Sequence, residues 1–201
     1  MNRILDTRLE PKQPNTPPPA DEPVVALGAP GDLPRWINTL QDGSQVLVRA
    51  LQKDDVELER SFIRRLGPES RRLRFLGQIR EPSEELLRKL VDLDYKRDLA
   101  FIALVDRDGE KRAVGVSRYS LTPDGVSCEC AVTVADDWQN RGLGTALMRH
   151  LITIARQRGI RSMVSVDAAE NWRMRELAGD LGFSREPDPI DSTQVIHRLD
   201  L

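Results

Sequence analysis

A strand, a glycine loop and a helix in residues 130–154 are the feature that most constrains this chain. The β-rich run 130–134 ends at Asp136-Asp137, and the segment 139–144 follows with two glycines. Apolar side chains then recur at the spacing of one helix face, at Leu143, Leu147, Leu151 and Ile154. The sequence therefore predicts a strand that leads through a tight turn into the N-terminus of a helix.

This arrangement favours an anion at the start of the helix. The first amides of a helix have no partner inside it, and the helix dipole places partial positive charge there. Gly142 and Gly144 have no Cβ, so a phosphate can approach the backbone closely. No lysine follows the glycines as in a P-loop, and Leu147 stands where a dinucleotide fingerprint has its third glycine. We therefore expect a pyrophosphate at this turn.

Length and charge exclude several classes of protein. The 201 residues are enough for one domain with a real core plus a tail. Thirty basic against 32 acidic residues give a net charge of −2, so binding to nucleic acid or membrane through bulk charge is not expected. The apolar runs are too short to cross a bilayer, and the N-terminus lacks the apolar region of a secretory signal. We expect a cytoplasmic protein, either a monomer or a weak dimer.

Proline content divides the chain into two parts. Residues 1–43 hold eight of the 13 prolines and are predicted to form a disordered or polyproline-like tail. A role of this tail in docking a partner is the alternative. In residues 44–201, periodicity and turn signals predict the order β-α-α-α-β-β-β-α-β-α-β-β, which is a single mixed α/β domain.

Three segments in the right order resemble the GNAT superfamily of N-acetyltransferases. They are the opening strand and turn at 46–55, the Q-x-x-G-x-G loop at 139–144, and the helix from Glu170-Asn171 to Gly182-Phe183. This resemblance covers roughly residues 45–199. It implies the GNAT fold, a mixed and mostly antiparallel central sheet flanked by helices and splayed at its middle strands. It also implies acetyl-CoA as co-substrate and an amine as acceptor.

A narrower resemblance is to the catalytic domain of bacterial protein lysine acetyltransferases of the Pat type. The segments 67–77, 94–97 and 129–132 are similar to that group. Its members commonly carry a large regulatory domain, which a proline-rich tail cannot form, so we expect a stand-alone catalytic domain. The resemblance implies a protein lysine as the acceptor. The alternatives are a small amine or amino acid as acceptor, and a non-catalytic module that senses acyl-CoA.

The resemblance also assigns residues to the cofactor. The pantetheine arm is expected to pair with backbone at Val132 and Val134, where a free N–H would stabilise the thioester oxygen. The loop residues assigned to phosphate are Gln139, Asn140, Arg141, Gly142, Leu143, Gly144 and Thr145. The alternative for the arginine is a solvated side chain, and for the two side-chain amides a role within the turn. Asn171 is expected to contact the cofactor, to cap a helix, or both.

Glu129 is the candidate general base. A lysine ammonium with a pKa of about 10.4 must lose a proton before it attacks a thioester. Glu129 lies in an otherwise apolar strand, which is unfavourable for a charge without a partner or a purpose. The Pat resemblance implies the same role. The alternative is a cross-strand pair, in which a two-residue hairpin sets Arg118 opposite Glu129 and a bulge at Gly125 sets Tyr119 there.

The proton for the departing thiolate has no assigned source. Many GNAT members have a tyrosine in the helix before the last glycine–phenylalanine pair, but Ala178 stands there in this chain. Tyr119 and Tyr95 are the candidate substitutes. Water or the amine proton could serve instead.

The cysteines and histidines are predicted to be structural. Cys128 and Cys130 lie on the side of their strand opposite Glu129, where small buried packing residues are favoured over acyl carriers. A mutual disulfide would be strained, which favours a reducing compartment. His150 and His197 are far apart in sequence and show no metal-ligand spacing, so no metal is expected.

Overall fold

The computed structural model describes residues 33–76 and 81–201. In this part of the chain the strands are β1 (Trp36–Thr39), β2 (Gln45–Ala50), β3 (Asp98–Arg107), β4 (Glu110–Leu121), β5 (Ser127–Val134), β6 (Ser162–Ala168), β7 (Ser184–Pro187) and β8 (Gln194–Asp200). The helices are α1 (Val56–Arg65), α2 (Pro68–Phe75), α3 (Glu84–Val91), α4 (Leu143–Gln157) and α5 (Trp172–Asp180). None of these helices combines the length and the apolar character needed to cross a bilayer.

The eight strands form one sheet in the order β1-β2-β3-β4-β5-β6-β8-β7. Every neighbouring pair is antiparallel except β5 and β6, which run parallel. After β1, the elements follow one another in the predicted order. The predicted fold class, a mixed and mostly antiparallel sheet flanked by helices, is confirmed.

The sheet splits between β5 and β6. The two strands pair only at Ser127↔Ser162, Cys128↔Met163 and Glu129↔Val164. Beyond Glu129, β5 stays paired with β4 as far as Val134, while β6 stays paired with β8 as far as Ala168. The two strands therefore separate and leave a wedge in the middle of the sheet, as the splayed fold predicts.

A separate apolar core covers each face of the sheet. On one face, α4 buries the stripe that the sequence predicts, at Leu143, Leu147, Leu151 and Ile154. On the other face, α1 and α3 bury Phe62, Ile63, Leu87 and Leu90. Each fully buried side chain of this kind contributes roughly 1.5–3 kcal/mol. The two cores hold both sides of the wedge in place.

The sheet begins earlier than the predicted domain start at residue 44. β1 lies inside the segment assigned to the tail and pairs with β2 from Trp36↔Val48 to Thr39↔Gln45. The Trp36 ring contacts Phe101 edge-on and stacks on His150 at 3.9 Å between centroids. Burial of Trp36 on the α4 face outweighs the proline-rich composition around it. Residues 1–32 lie outside the described residues, so the disordered tail stays a prediction there.

Candidate functional site

A cavity of about 620 Å³ opens in the wedge between β5 and β6. Its walls come from the second half of β5, residues 165–167 of β6, α2, α5 and the start of α4. The volume lies within the roughly 300–1,000 Å³ that is usual for small-molecule sites. The predicted site residues on its walls are Glu129, Val132, Val134, Gln139, Asn140, Gly142, Leu143, Gly144, Thr145 and Asn171. Arg141 is the predicted residue that the cavity does not include.

The turn into α4 presents backbone amides at one end of this cavity. The Ala146 N–H donates to the Gly142 carbonyl at 3.0 Å in the first helical bond of α4. The amides of Leu143, Gly144 and Thr145 precede that bond and have no helical partner. Gly142 has the left-handed φ of 83°, and no side chain caps this helix end. The arrangement suits an anionic group such as pyrophosphate.

The side-chain amide of Gln139 is committed to protein contacts. Its Nε2 donates to the Val134 carbonyl at 3.1 Å and to Ser70 Oγ at 3.2 Å. These bonds tie the end of β5 to α2. The Val134 carbonyl therefore already has a side-chain partner, whereas no side chain of the described residues is bonded to the backbone of Val132, which also lies on the cavity wall. Of the two predicted backbone sites for pantetheine, Val132 is the more open.

Arg141 points away from the cavity. Its guanidinium pairs with Asp42 at 2.8 Å, donates to the Asp137 carbonyl at 2.6 Å, and lies 4.8 Å from the centre of the Trp138 ring. It lines a second cavity of about 550 Å³ instead. Asp42 lies in the loop after β1, within the segment predicted to be the tail. The contacts agree with the surface alternative for Arg141 rather than with the phosphate assignment.

Asn171 caps α5 and also faces the cavity. Its side-chain oxygen accepts a hydrogen bond from the Met174 N–H at 3.1 Å, and the residue lies on the cavity wall. The cap fixes the start of α5. Next to it, Glu170 pairs with Arg72 of α2 at 2.7 Å, with both side chains more than 40% exposed. This pair joins the two helices that border the cavity.

Glu129 lies at the other end of the cavity. Its side chain is exposed and makes no hydrogen bond or ion pair with the described residues. Ser120 stands opposite it on β4, so both predicted partners are wrong. The reason is the length of the hairpin loop. The Thr122 N–H donates to the Ser127 carbonyl at 2.9 Å, which leaves a four-residue loop at 123–126.

Arg118 does not line the cavity and belongs to a different polar group, with Glu59 of α1 and Leu90 of α3. Its guanidinium donates to the Leu90 carbonyl at 3.0 Å and lies 3.9 Å from Glu59. Glu59 is 4% exposed, and its Oε2 has no partner among the described residues. Burial raises the pKa of this carboxyl, and the charge of Arg118 acts in the opposite direction. The role of Glu59 was not predictable from the sequence, because a lone glutamate on a helix gives no signal of burial.

Arg74 of α2 adds a cation to the Glu129 end of the cavity. Burial, and after it the charge of Arg118, lower the pKa of its guanidinium to about 10. The carboxylates of Glu59, Glu129 and Asp167 act in the opposite direction. Arg74 therefore stays charged at neutral pH. This end of the cavity contains both an unpaired carboxylate and a cation.

The thiols and the two tyrosines are unsuited to chemistry in this cavity. Burial raises the pKa of the Cys128 thiol to about 12 and that of Cys130 well above its usual range, so neither forms a thiolate at neutral pH. The Tyr119 hydroxyl accepts from Arg158 at 2.7 Å, and the Tyr95 hydroxyl donates to a backbone carbonyl. Neither tyrosine lines the cavity. Among residues 33–76 and 81–201, no group of three metal-ligand side chains is placed to hold a metal.

A polar cluster of β6 and β8 was missed in the sequence. The Ser165 hydroxyl donates to the Asp167 carboxylate, whose Oδ2 lies 3.0 Å from Nδ1 of His197. Ser165 and Asp167 line the cavity from the side opposite β5. The available signal was the alternation of two polar residues along a predicted strand. Their link to His197 depends on the pairing of β6 with β8.

Comparisons with known proteins agree with this architecture. The sequence pattern of the acetyltransferase (GNAT) family matches residues 69–183. An acetyltransferase of Pseudomonas aeruginosa is 55% identical over 166 residues, which cover 83% of this chain and 89% of that protein. The acetyltransferase Pat of Mycolicibacterium smegmatis is 28% identical over 120 residues, 58% of this chain and 35% of that protein. This chain therefore spans little more than a third of that relative.

Solved structures give the same result. The GNAT domain of S. lividans PAT superposes with a TM-score of 0.76 at 25% identity, over 83% of this chain and 97% of that domain. The ribosomal-protein-S18-alanine N-acetyltransferase of Escherichia coli superposes with a TM-score of 0.57 at 20% identity, over 77% and 93% of the two chains. The second likeness concerns the fold alone.

Proposed function

Because this chain belongs to the GNAT family and is an acyl-CoA N-acyltransferase, we propose that it transfers the acetyl group of acetyl-CoA to a protein lysine, with Glu129 as general base. Enzymes of this family act on amine acceptors. The observation that carries the proposal is the position of Glu129. This unpaired carboxylate lies on the cavity wall, at the last residue pair before β5 and β6 separate.

The residues present fit acetyl-CoA. The amides at 143–145 offer hydrogen-bond donors to the pyrophosphate, and the wedge offers a path for the pantetheine arm beside Val132. A Cβ added at Gly144 would come within 3.4 Å of Leu177 on the opposite wall, so the absence of a side chain keeps this passage open. Acetyl-CoA, when bound, supplies an activated thioester carbonyl for attack by the amine.

Glu129 is suited to remove a proton from the incoming amine. Its oxygens are not committed to any described residue, and they face the cavity rather than the core. A carboxylate in this position accepts the proton directly or through one water. The charge of Glu129 acts on the nearby Arg74, but the two side chains form no hydrogen bond or ion pair with each other.

A protein lysine is favoured as acceptor because the Glu129 end of the cavity is open to the surface. Glu129 is exposed, and so is Leu76 on the same wall, with 49% of its surface accessible. A lysine on another protein can reach Glu129 there without enclosure of the whole acceptor. The likeness to Pat proteins supports the same choice. A small amine or amino acid is the alternative acceptor.

The test is the Glu129→Gln variant with Glu110→Gln as matched control. Glu110 is exposed at the start of β4, outside the cavity. With acetyl-CoA and a lysine peptide library, Glu129→Gln should lower kcat by about 100-fold or more, which is the usual contribution of a general base. Acetyl-CoA affinity by calorimetry should be unchanged in both variants. Equal kcat values in the two variants would remove the assignment.

The same experiment separates the remaining alternatives. Turnover with free amines but not with peptides would support a small acceptor. Tight acetyl-CoA binding without CoA release in the presence of any amine would support an acyl-CoA sensor. This alternative follows from Ala178, which stands where many members of the family have a tyrosine. We also propose a cytoplasmic location, since Cys128 and Cys130 are both free thiols in one strand.

A further inference from the structure

Helix α2 carries three arginines, and they differ in their partners. Arg71 donates to two backbone carbonyls at the end of α1, and Arg72 pairs with Glu170 at 2.7 Å. The guanidinium of Arg74 lies 5.2 Å from the centre of the Phe75 ring, but it forms no hydrogen bond or ion pair with the residues that the structure describes. A guanidinium has five N–H donors, so those of Arg74 are open to a ligand.

We propose that Arg74 binds a carboxylate of the substrate, and that this carboxylate belongs to an aspartate or glutamate close to the acceptor lysine in the target protein. Arg74 is then a specificity-determining residue, which selects acidic sequences around the lysine. This role rests on the proposed acetyl transfer to a protein lysine, and it adds the class of sequence that surrounds that lysine.

One face of α2 borders the cavity, and Arg74 lies on it. Leu73 and Arg74 follow Ser70 by three and four residues, which places all three on the same side of the helix, and all three line the cavity. The start of α2 is fixed to the segment between β5 and α4. There the Asp136 carboxylate accepts from the Gly67 N–H at 2.8 Å and from Ser70 Oγ at 2.7 Å. Arg74 is therefore carried by an anchored helix, one turn beyond Ser70.

The carboxylates around Arg74 do not occupy its donors. Glu59, Glu129 and Asp167 act on Arg74 through their charge, but none of them bonds to it. Glu59 lies 3.9 Å from an arginine of β4, and Asp167 lies 3.0 Å from Nδ1 of His197. Glu129 is the proposed base, and its charge is balanced by the ammonium of the acceptor when a lysine enters. The donors of Arg74 are then still free for a second group of the substrate.

Two further carboxylates line the cavity on α5, Glu176 and Asp180, and both residues are exposed. They lie within one turn of Leu177, the side chain nearest to a Cβ added at Gly144. The two acids therefore border the α4 end of the cavity, whereas Arg74 lies at the opposite end.

Arg173 of α5 is the second cation on the cavity wall. Its guanidinium lies 4.9 Å from the centre of the Trp172 ring, and its Nε is buried without a partner among the described residues. Arg173 is therefore the competing group for a carboxylate. Arg74 is favoured because Glu129 acts on it through its charge, so these two groups lie at the same end of the cavity.

Glu129 and Arg74 together form a site for two opposite charges. The carboxylate attracts the lysine ammonium, and the guanidinium attracts a carboxylate, to which it can donate two parallel hydrogen bonds. A substrate with one charge of each sign satisfies both groups. A lysine surrounded by neutral residues would leave the cation of Arg74 without a partner in the closed complex, which is unfavourable.

The position of the end of α2 favours a carboxylate of the target protein. α2 ends at Phe75, and the next residue, Leu76, is 49% exposed on the same cavity wall. A protein that brings its lysine to Glu129 contacts this exposed end, so residues next to the lysine can reach Arg74 in the last turn of α2. A free amino acid and a dicarboxylic acyl group carry the same chemical group, and the experiments below distinguish them.

The first test measures the acetylation of paired peptides that differ by one charge. Each peptide has a single lysine with either a glutamate or a glutamine placed near it, at each of the neighbouring positions in turn. In the wild-type protein, kcat/KM should be about tenfold higher for the best glutamate peptide than for its glutamine partner, as expected for one charge-assisted contact. Arg74→Gln should remove this preference, and Arg74→Lys should keep part of it. Because the preference is a ratio within one preparation, a loss of folded protein does not change it.

Arg72→Gln and Arg173→Gln are the matched controls. Arg72 lies on the same helix as Arg74 but does not line the cavity, and its pair with Glu170 is exposed. Both control variants should keep the preference for glutamate peptides. Loss of the preference in Arg173→Gln but not in Arg74→Gln would overturn the assignment. Acetyl-CoA affinity by calorimetry should be unchanged in Arg74→Gln, because the change lies at the acceptor end.

Two further substrate pairs identify the source of the carboxylate. Free lysine against cadaverine tests an α-carboxylate, and succinyl-CoA against butyryl-CoA tests a carboxylate on the acyl group. Neither pair should show a preference that depends on Arg74. Such a preference in one of these pairs, without one among the peptides, would overturn the assignment to the target protein.

The outcomes separate the role of Arg74 from the proposed acetyl transfer. If the wild-type protein acetylates the peptides and glutamate gives no advantage, or one that survives in Arg74→Gln, the role of Arg74 is overturned and acetyl transfer stands. Binding of fluorescently labelled peptides in the presence of CoA needs no turnover. If no peptide is acetylated but the glutamate peptides bind more tightly through Arg74, recognition of acidic sequences stands and transfer to lysine fails. Absence of any peptide binding overturns both.

Discussion

The two ends of the cavity recognise their ligands in different ways. At the α4 end the polar groups are backbone amides at 143–145, and the one charged side chain of the loop, Arg141, is bonded to Asp42. At the other end they are side chains, the unpaired carboxylate of Glu129 and the cation of Arg74. Ligand recognition at the first end depends on the backbone conformation, and at the second end it depends on single side-chain functional groups.

This difference predicts which substitutions should weaken acetyl-CoA binding and which should lower the reaction rate. Changes that alter the backbone or fill its approach should weaken cofactor binding, whatever their charge. Removal of a side-chain charge near the loop should have little effect on the affinity for acetyl-CoA. At the Glu129 end the opposite holds, because a change of one atom there removes the reactive group but leaves the backbone as it was.

Gly144→Leu should have the largest effect on binding. A Cβ at this position lies 3.4 Å from Leu177 and 3.8 Å from Val134, so a leucine would close the gap between β5 and α5. We expect acetyl-CoA affinity by calorimetry to fall about 100-fold, or about 2.8 kcal/mol. Gly179→Leu is the control, since a Cβ there meets nothing within 4 Å. Retained affinity in Gly144→Leu would mean that the cofactor does not pass this gap.

Gly142→Ala should have an intermediate effect. The φ of 83° at Gly142 places a non-glycine residue in the left-handed region, at a cost of roughly 1–2 kcal/mol. For a chain of this size we expect Tm to fall by about 2–8 °C and acetyl-CoA affinity by about tenfold. Gly179→Ala, inside α5, should keep the affinity and raise Tm. An unchanged affinity in Gly142→Ala would show that cofactor binding by the amides at 143–145 does not require the left-handed conformation at this turn.

Arg141→Ala should have the smallest effect. Its ion pair with Asp42 is formed by side chains that are 36% and 40% exposed, and such pairs contribute at most about 1 kcal/mol. Acetyl-CoA affinity should therefore change by less than about threefold. Titration of wild type and variant at the same ionic strength measures this. A tenfold loss would restore the phosphate assignment of Arg141 and break the contrast between the two ends.

The parts of the site that depend on local sequence were predictable. The glycines at 142 and 144 and the apolar stripe of α4 act within a few residues of one another, so the turn and the helix follow from the sequence. Strand alternation also placed Glu129 on the face opposite the two cysteines. This side selection needs only the period of two in a strand.

The parts that depend on distant pairing were not predictable. Arg141 and Asp42 are 99 residues apart, and their contact requires β1 to join the sheet. The residue opposite Glu129 depends on a four-residue loop, which Asp124 stabilises by accepting from the N–H groups of Val126 and Ser127. The register of β6 and β8 likewise brings His197 to Ser165.

The short pairing of β5 with β6 has a consequence for stability. Only three residue pairs join the two halves of the sheet, so beyond them each strand has an edge facing the wedge. An extended pantetheine arm bonded to the Val132 backbone would fill this space as a temporary ninth strand. Occupancy of the wedge by the cofactor would then increase the rigidity of the sheet. The enzyme would be most stable with the cofactor bound, and each release of CoA would leave the edges of β5 and β6 unpaired again at the centre of the sheet.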